Sequence, residues 1–328
     1  MDRSSLIDLH KAVWDGLLAK LDRLPHALLI HGMPGLGKLE LAERFAQLLL
    51  CEKRRAGRRA CGACEACRWF LSDDHPDVRY LEPEAFAQHR IFGKDPEKEE
   101  DRKPSVQIRI EQARALADFL NLASYRGGRR IAIVAPAEDM NEATANSLLK
   151  GLEEPPAGAM FLLVSHRPST LLPTIRSRCV PVPVPLPDPG AAAKWLEGQG
   201  VKEAARWLAF AGGAPLRALE YAAGERGAVI ERALKVVAAR EPTAVSERED
   251  LEPLAEVLQK IALDRAFAAL CGSAKYSTAP KGAARGGQGD ARAWLAYARA
   301  LGEHRLLVRH PLNPRLLAAD MLAGLPPA

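Results

Sequence analysis

The stretch Gly32-Met33-Pro34-Gly35-Leu36-Gly37-Lys38 narrows the choice of fold more than any other part of the chain. It follows a short apolar run, Leu28-Leu29-Ile30-His31, that suits a buried parallel strand. From Lys38 onward, Leu41, Ala42, Phe45, Leu48 and Leu49 recur with helical period along one face. A strand, a glycine-rich turn and a helix in that order form a P-loop, whose main-chain N–H groups close around phosphates at a helix N-terminus. Gly32, Gly35, Gly37 and Lys38 are therefore the candidate nucleotide-binding residues, with the lysine reaching the outer phosphates. The next position departs from the pattern. Leu39 stands where a serine or threonine hydroxyl should meet Mg²⁺, and a leucine has no oxygen to offer.

The strand-and-helix rhythm continues. Val78-Arg79-Tyr80-Leu81, Ile131-Ala132-Ile133-Val134 and Met160-Phe161-Leu162-Leu163-Val164 read as further strands. Ile108 to Tyr125 reads as a helix ended by Gly127-Gly128, and Asn141 as the cap of another that Pro155-Pro156 stops. Such alternation implies a parallel sheet covered by helices on both faces, an α/β P-loop domain. The charged stretch Gly93 to Pro104 reads as a solvated loop. The proline-rich run Val180 to Pro187 reads as a stiff extended connection and places a boundary at 184/185. Beyond it the chain reads as helical and alanine-rich, apart from an expected loop at Ser273 to Gln288.

An ATPase of this kind needs an acidic pair at the end of a buried strand to hold Mg²⁺ and activate water. After Val134 the chain has Ala135-Pro136-Ala137, and Glu138 and Asp139 come only later. Two defects in one site argue against metal-dependent hydrolysis. A P-loop shape retained for structure is the plainer account.

Cys51, Cys61, Cys64 and Cys67 form a C-x9-C-x2-C-x2-C cluster. Four thiolates from so short a segment can surround one Zn²⁺ tetrahedrally, with no position left open for catalysis. A ferredoxin-type cluster would want another cysteine near position 71, which is Leu71. His75 is expected to be a capping or surface residue rather than a ligand. Cys179 and Cys271 are read as small buried hydrophobes without chemistry.

No apolar run approaches the roughly 18 residues of a spanning helix, and the first residues lack the pattern of a secretory signal. A cytoplasmic location is expected. A net charge of +5 permits contact with nucleic acid without arguing for it, and 5% aromatics argue against a base-stacking platform.

The motifs Asn146-Ser147-Leu148-Leu149-Lys150-Gly151-Leu152-Glu153-Glu154-Pro155-Pro156 and Ser177-Arg178-Cys179 resemble the clamp-loader branch of the AAA+ family. Within it the resemblance is greatest to the bacterial delta-prime type, which carries a zinc module after the P-loop helix and a degraded ATPase site. It spans the whole chain, strongest from Leu24 to Val184 and faint after about Gly224.

The resemblance implies an AAA+ α/β domain at 1–184 with the zinc module at 51–67. A small helical lid at 185–226 and an all-α collar at 227–328 would follow. It implies that Arg178, rather than Arg176, reaches in trans to the ATP of a neighbouring gamma or tau subunit. Arg217 would face the chain's own nucleotide or make an interdomain salt bridge. Ser165 and His166 fall at a polar sensor position. Expected partners are gamma/tau and delta subunits in a five-membered ring, with the sliding clamp and primed DNA met through the assembly. Zn²⁺ is the expected structural cofactor, and ATP is held weakly or not at all. The chain itself is expected to be a non-hydrolysing member of a DNA polymerase III holoenzyme. The alternatives are a working gamma/tau-type ATPase, favoured by Lys38, and a zinc-dependent DNA-binding protein, which would bind DNA tightly and salt-sensitively.

Overall fold

A computed structural model describes residues 5–54, 59–87, 89, 103–125, 128–242, 245, 247–276, 290–308, 310 and 312–326. The chain divides into two compact units, Met1–Leu186 and Pro187–Ala328.

In the first unit, helices α1 (Leu6–Leu9) and α2 (Lys11–Leu18) precede strand β1 (Ala27–His31) and helix α3 (Lys38–Leu50). Helix α4 (Glu65–Leu71), strand β2 (Val78–Leu81), helix α5 (Ile110–Asn121) and strand β3 (Arg130–Val134) follow. Helix α6 (Glu142–Glu153), strand β4 (Ala159–Ser165), the short helix α7 (Pro173–Arg176) and strand β5 (Val180–Pro183) complete it. The five strands form one parallel sheet in the order β2-β3-β4-β1-β5. Every residue of β3 and β4 is buried, as expected of a sheet covered on both faces. Leu29, Ala132, Val134, Phe161 and Leu163 share one core with Leu116 and Leu120 of α5 and Leu148 and Leu152 of α6. Helix α3 packs on β1, β3 and β4 through an apolar stripe in which Leu41, Ala42, Phe45 and Leu48 are buried.

The helix cap expected at Asn141 is present: its side chain accepts from Thr144 N at 2.8 Å. Helix α5 stops at Asn121, short of the expected Tyr125, because Leu122 is extended. Gly127, residues 93–102 of the expected charged loop and 277–288 of the expected later loop lie outside the described residues.

The proline run corrects the expected connection. Val180–Pro183 is not a linker but the edge strand of the sheet, paired with β1. Val184 N donates to His31 O at 2.8 Å, so even-numbered residues turn their main-chain groups toward β1. Pro181, Pro183 and Pro185 then fall on the open edge, where a missing N–H costs no ladder bond and blunts pairing with other strands. The unit ends at Leu186, two residues past the expected boundary.

The second unit contains α8 (Pro189–Gly198), α9 (Ala204–Phe210), α10 (Pro215–Ala222), α11 (Glu225–Ala239), α12 (Leu251–Cys271), α13 (Ala291–Leu307) and α14 (Pro314–Ala323). Asp188 caps α8, accepting from Ala191 N at 2.8 Å, and Pro189 opens its first turn. One apolar core runs through the unit, joining Leu196, Trp207 and Tyr221 to Leu254, Leu258, Leu301 and Met321.

Candidate functional site

The glycines of the P-loop are fixed by close neighbours. A Cβ on Gly32 would stand 2.5 Å from Val184 O, and one on Gly37 would stand 2.0 Å from Leu6 Cδ2, at a left-handed φ of 82°. Helix α1 thus lies against the start of α3, and His10 Nε2 makes a 2.7 Å hydrogen bond with Leu36 O. Lys38 is 2% exposed and donates from Nζ to Met33 O at 2.6 Å. Burial holds its pKa down to about 8, with Glu138 and Glu40 pulling the other way. Leu39, the next residue, is half-buried. Beside the loop, a largely apolar cleft of about 680 Å³ runs between α2 and β5, with Lys20 and His31 among its lining.

Ala135 and Pro136 leave the end of β3 without a carboxylate, as the sequence indicates. Glu138 does not simply begin the next loop. Its Oε1 accepts from His166 N at 2.8 Å, at the end of β4, and its charge is felt by Lys38. His166 is kept neutral, its pKa lowered to about 4 by burial and by Lys38. Glu138 Oε2 and His166 Nδ1 are buried without a hydrogen-bond partner. Ser165 is fully buried, and its Oγ accepts from Arg167 N at 3.2 Å. Sequence reasoning left Glu138 outside this pocket; the turn Ala137–Asp139 that brings it back has no period to betray it.

Arg178 follows α7 and is one-third exposed. Its Nη2 lies 2.5 Å from Glu153 Oε1, and its Nη1 donates to Thr174 O at 2.9 Å. Arg176 is exposed nearby. Cys179 is buried, which pushes its thiol up to about 11, whereas Cys271 is exposed at the end of α12, contrary to expectation.

The four cysteines converge. The Sγ atoms of Cys51, Cys61, Cys64 and Cys67 all lie within 4.8 Å of one another. The Cys61–Cys67 sulfur separation is 3.9 Å, close to the ~3.8 Å edge of a tetrahedron with ~2.3 Å Zn–S bonds. Cys61 N donates to Cys51 Sγ and Cys64 N to Cys61 Sγ, both at 3.2 Å. Main-chain donors bring the Cys61 thiol down to about 6, while burial pushes Cys51 and Cys67 up. Buried thiols that resist ionisation alone become good ligands when a dication supplies the charge, so the donor set fits a metal such as zinc. His75 is outside the cluster and is buried rather than on the surface, and it caps no helix: its Nδ1 accepts from Asp77 N at 3.1 Å in the turn before β2.

Arg217 is engaged within the second unit. Its Nε donates to Tyr221 Oη at 2.5 Å and its Nη2 to Glu256 Oε1 at 3.0 Å. Lys260 lies 2.8 Å from the same carboxylate oxygen and 3.7 Å from the centre of the Phe210 ring. Burial lowers the Lys260 pKa to about 8 against the pull of Glu256.

A family model described as DNA polymerase III, delta subunit, matches residues 13–187, more than half of the chain. The chain belongs to this family. Its curated relatives are named DNA polymerase III subunit delta'. The one from Pseudomonas aeruginosa is 40% identical over 212 residues, 63% of this chain and 58% of that protein. The one from Escherichia coli is 33% identical over 205 residues, 62% and 53% of the two chains. A DNA polymerase III subunit tau from Salmonella typhimurium is 31% identical over 160 residues, 49% of this chain and 22% of that one. The matches thus span little more than half the length of the delta-prime relatives. A solved DNA polymerase III gamma subunit-related protein from Thermotoga maritima covers 94% of this chain and 97% of its own, at 17% identity and a TM-score of 0.48. The family match falls almost wholly on the first unit, which holds the P-loop, the cysteine cluster and Arg178.

Proposed function

We propose that the chain is a delta-prime subunit of a bacterial clamp loader. It acts as a non-hydrolysing scaffold in a five-membered ring with gamma/tau and delta subunits. The ring loads a sliding clamp on primed DNA in the cytoplasm during replication. The observation that carries this reading is the pairing of a spent nucleotide pocket with a surface arginine. Leu39 and Ala135-Pro136 replace the groups that would hold Mg²⁺, whereas Arg178 stands one-third exposed at the end of α7. Placed against a neighbour's ATP, a guanidinium offsets charge developing on the transferred phosphoryl group, an effect worth about 10³–10⁵ in rate where it acts as a finger.

Zn²⁺ on Cys51, Cys61, Cys64 and Cys67 is structural in this account, and it would supply only cross-linking of the segment between α3 and α4. ATP, if it enters, meets Gly32, Gly35, Gly37 and Lys38 without a metal. Residues 187–226 serve as lid and 227–328 as collar; the two share one core, and the Arg217–Glu256 ion pair joins them within the second unit. The tau relative and the retained Lys38 favour a second reading, a working ATPase; Leu39 weighs against it.

The test is Arg178→Ala in the assembled complex. Ring assembly should persist while ATP turnover by the complex falls. Unchanged turnover removes Arg178 from the mechanism.

A further inference from the structure

Arg178 is held on its own subunit by contacts that use the atoms a phosphate would need. Both η nitrogens are committed: Nη2 to Glu153 Oε1 at 2.5 Å, Nη1 to Thr174 O at 2.9 Å and Ser177 Oγ at 3.4 Å. Arginine grips phosphate through the same terminal N–H groups. The intramolecular and intermolecular contacts therefore compete.

Glu153 is placed to seek such a partner. It is the last residue of α6, where the unpaired carbonyls of a helix end disfavour a second negative charge. Glu154 follows directly and adds to that excess. The guanidinium of Arg178 relieves it. The backbone beneath Arg178 is anchored on both sides, by α7 before it and by buried Cys179 and strand β5 after it. Release therefore needs only a side-chain swing. With side-chain exposures of 33% and 48%, the pair is wet enough to be exchanged for a more highly charged group.

We propose that Glu153 is the resting partner of Arg178, a positioning carboxylate that keeps the guanidinium on this subunit until a neighbour's nucleotide phosphate displaces it. This rests on the reading of Arg178 as a residue that acts in trans. Glu153 touches no nucleotide in this scheme and acts only through Arg178.

The experiment uses the complete ring, reconstituted with its partner subunits and carrying this chain as parent, Glu153→Gln, Arg178→Ala or both. ATP turnover is followed at limiting and saturating ATP, with melting temperatures compared to confirm that each variant folds like the parent. Glu153→Gln should raise turnover at limiting ATP by about two- to fivefold, the equilibrium weight of an exposed ion pair. The gain should shrink as added salt screens the parent's pair. In the Arg178→Ala background the same substitution should do nothing. Should Arg178→Ala lower turnover while Glu153→Gln leaves it unchanged, lowers it, or alters it equally in both backgrounds, the resting-partner role is overturned and the trans arginine survives. If Arg178→Ala has no effect, the trans reading falls first and this inference falls with it.

Discussion

The Nζ atom of Lys38 donates to the carbonyl oxygen of Met33, 2.6 Å away, and so closes the P-loop on itself. The lysine that would reach an outer phosphate bonds to the loop's own backbone, and the next residue, Leu39, brings no oxygen. Repairing one defect should not revive the site. Leu39→Thr restores the hydroxyl but leaves Ala135-Pro136 without a carboxylate, so phosphate release by the isolated variant should stay at the parent's level. Magnesium-dependent turnover in that variant would show the pocket to be one residue from activity.

The cysteine cluster should carry one zinc per chain by elemental analysis. Cys64→Ser should weaken zinc retention and lower the melting temperature of the first unit by several degrees, since ligands that unite only in the folded segment couple metal binding to folding. A metal-free chain of undiminished stability would overturn the assignment.

Glu256 is the only described anion shared by Arg217 and Lys260, both of which lie within 3.0 Å of its Oε1. Its loss leaves two cations facing the Tyr221 hydroxyl and the Phe210 ring. Glu256→Ala should cost roughly 3 kcal/mol in denaturant unfolding, the low end for breaking a buried pair, because Arg217 is one-third exposed. Glu256→Gln, which keeps an acceptor, should cost less. Equal costs would mean that packing rather than charge holds the cluster.

His89 stacks on Tyr80 with ring centres 3.6 Å apart and meets Glu43 at 3.0 Å and Glu82 at 3.1 Å. Burial opposes its charge, yet hydrogen bonds to the two carboxylates raise its pKa to about 10. A raised pKa means that the stabilisation is complete below the unfolded value, about 6.5, and fades as pH climbs through about 10. The stability gap between parent and His89→Gln should therefore be widest in mild acid and close toward pH 10, by at most about 1.4 kcal/mol per pH unit. A gap that widens with pH would contradict the ion-pair assignment.

What the sequence disclosed follows from local rules. The apolar run at Leu28–Ile30, the helical stripe from Leu41 to Leu49 and the Asn141 cap each act over a few residues, and each appears in the structure. The cysteine spacing was equally legible, because four ligands in seventeen residues have few other uses. The prolines of β5 misled for a physical reason: proline is barred from central strands but admissible on an edge, and edge status is set by the whole sheet. Glu138 and Glu153 were not legible as neighbours of Lys38 and Arg178, because those approaches depend on how β3, β4, α6 and α7 pack. Arg217 left two readings open in the sequence; the contact with Glu256, 39 residues away, supports the salt bridge.

The central claim is that the pocket behind Lys38 lacks the hydroxyl at position 39 and the carboxylate ending β3 that would hold a divalent cation, and that Glu138, whose Oε1 is taken by His166 N, does not replace them. Calorimetric titration of the isolated chain with ATP, in the presence and absence of Mg²⁺, tests it directly. The account predicts weak or no binding that magnesium does not strengthen. A tenfold or greater gain in affinity on adding Mg²⁺, lost in Lys38→Ala, would contradict it.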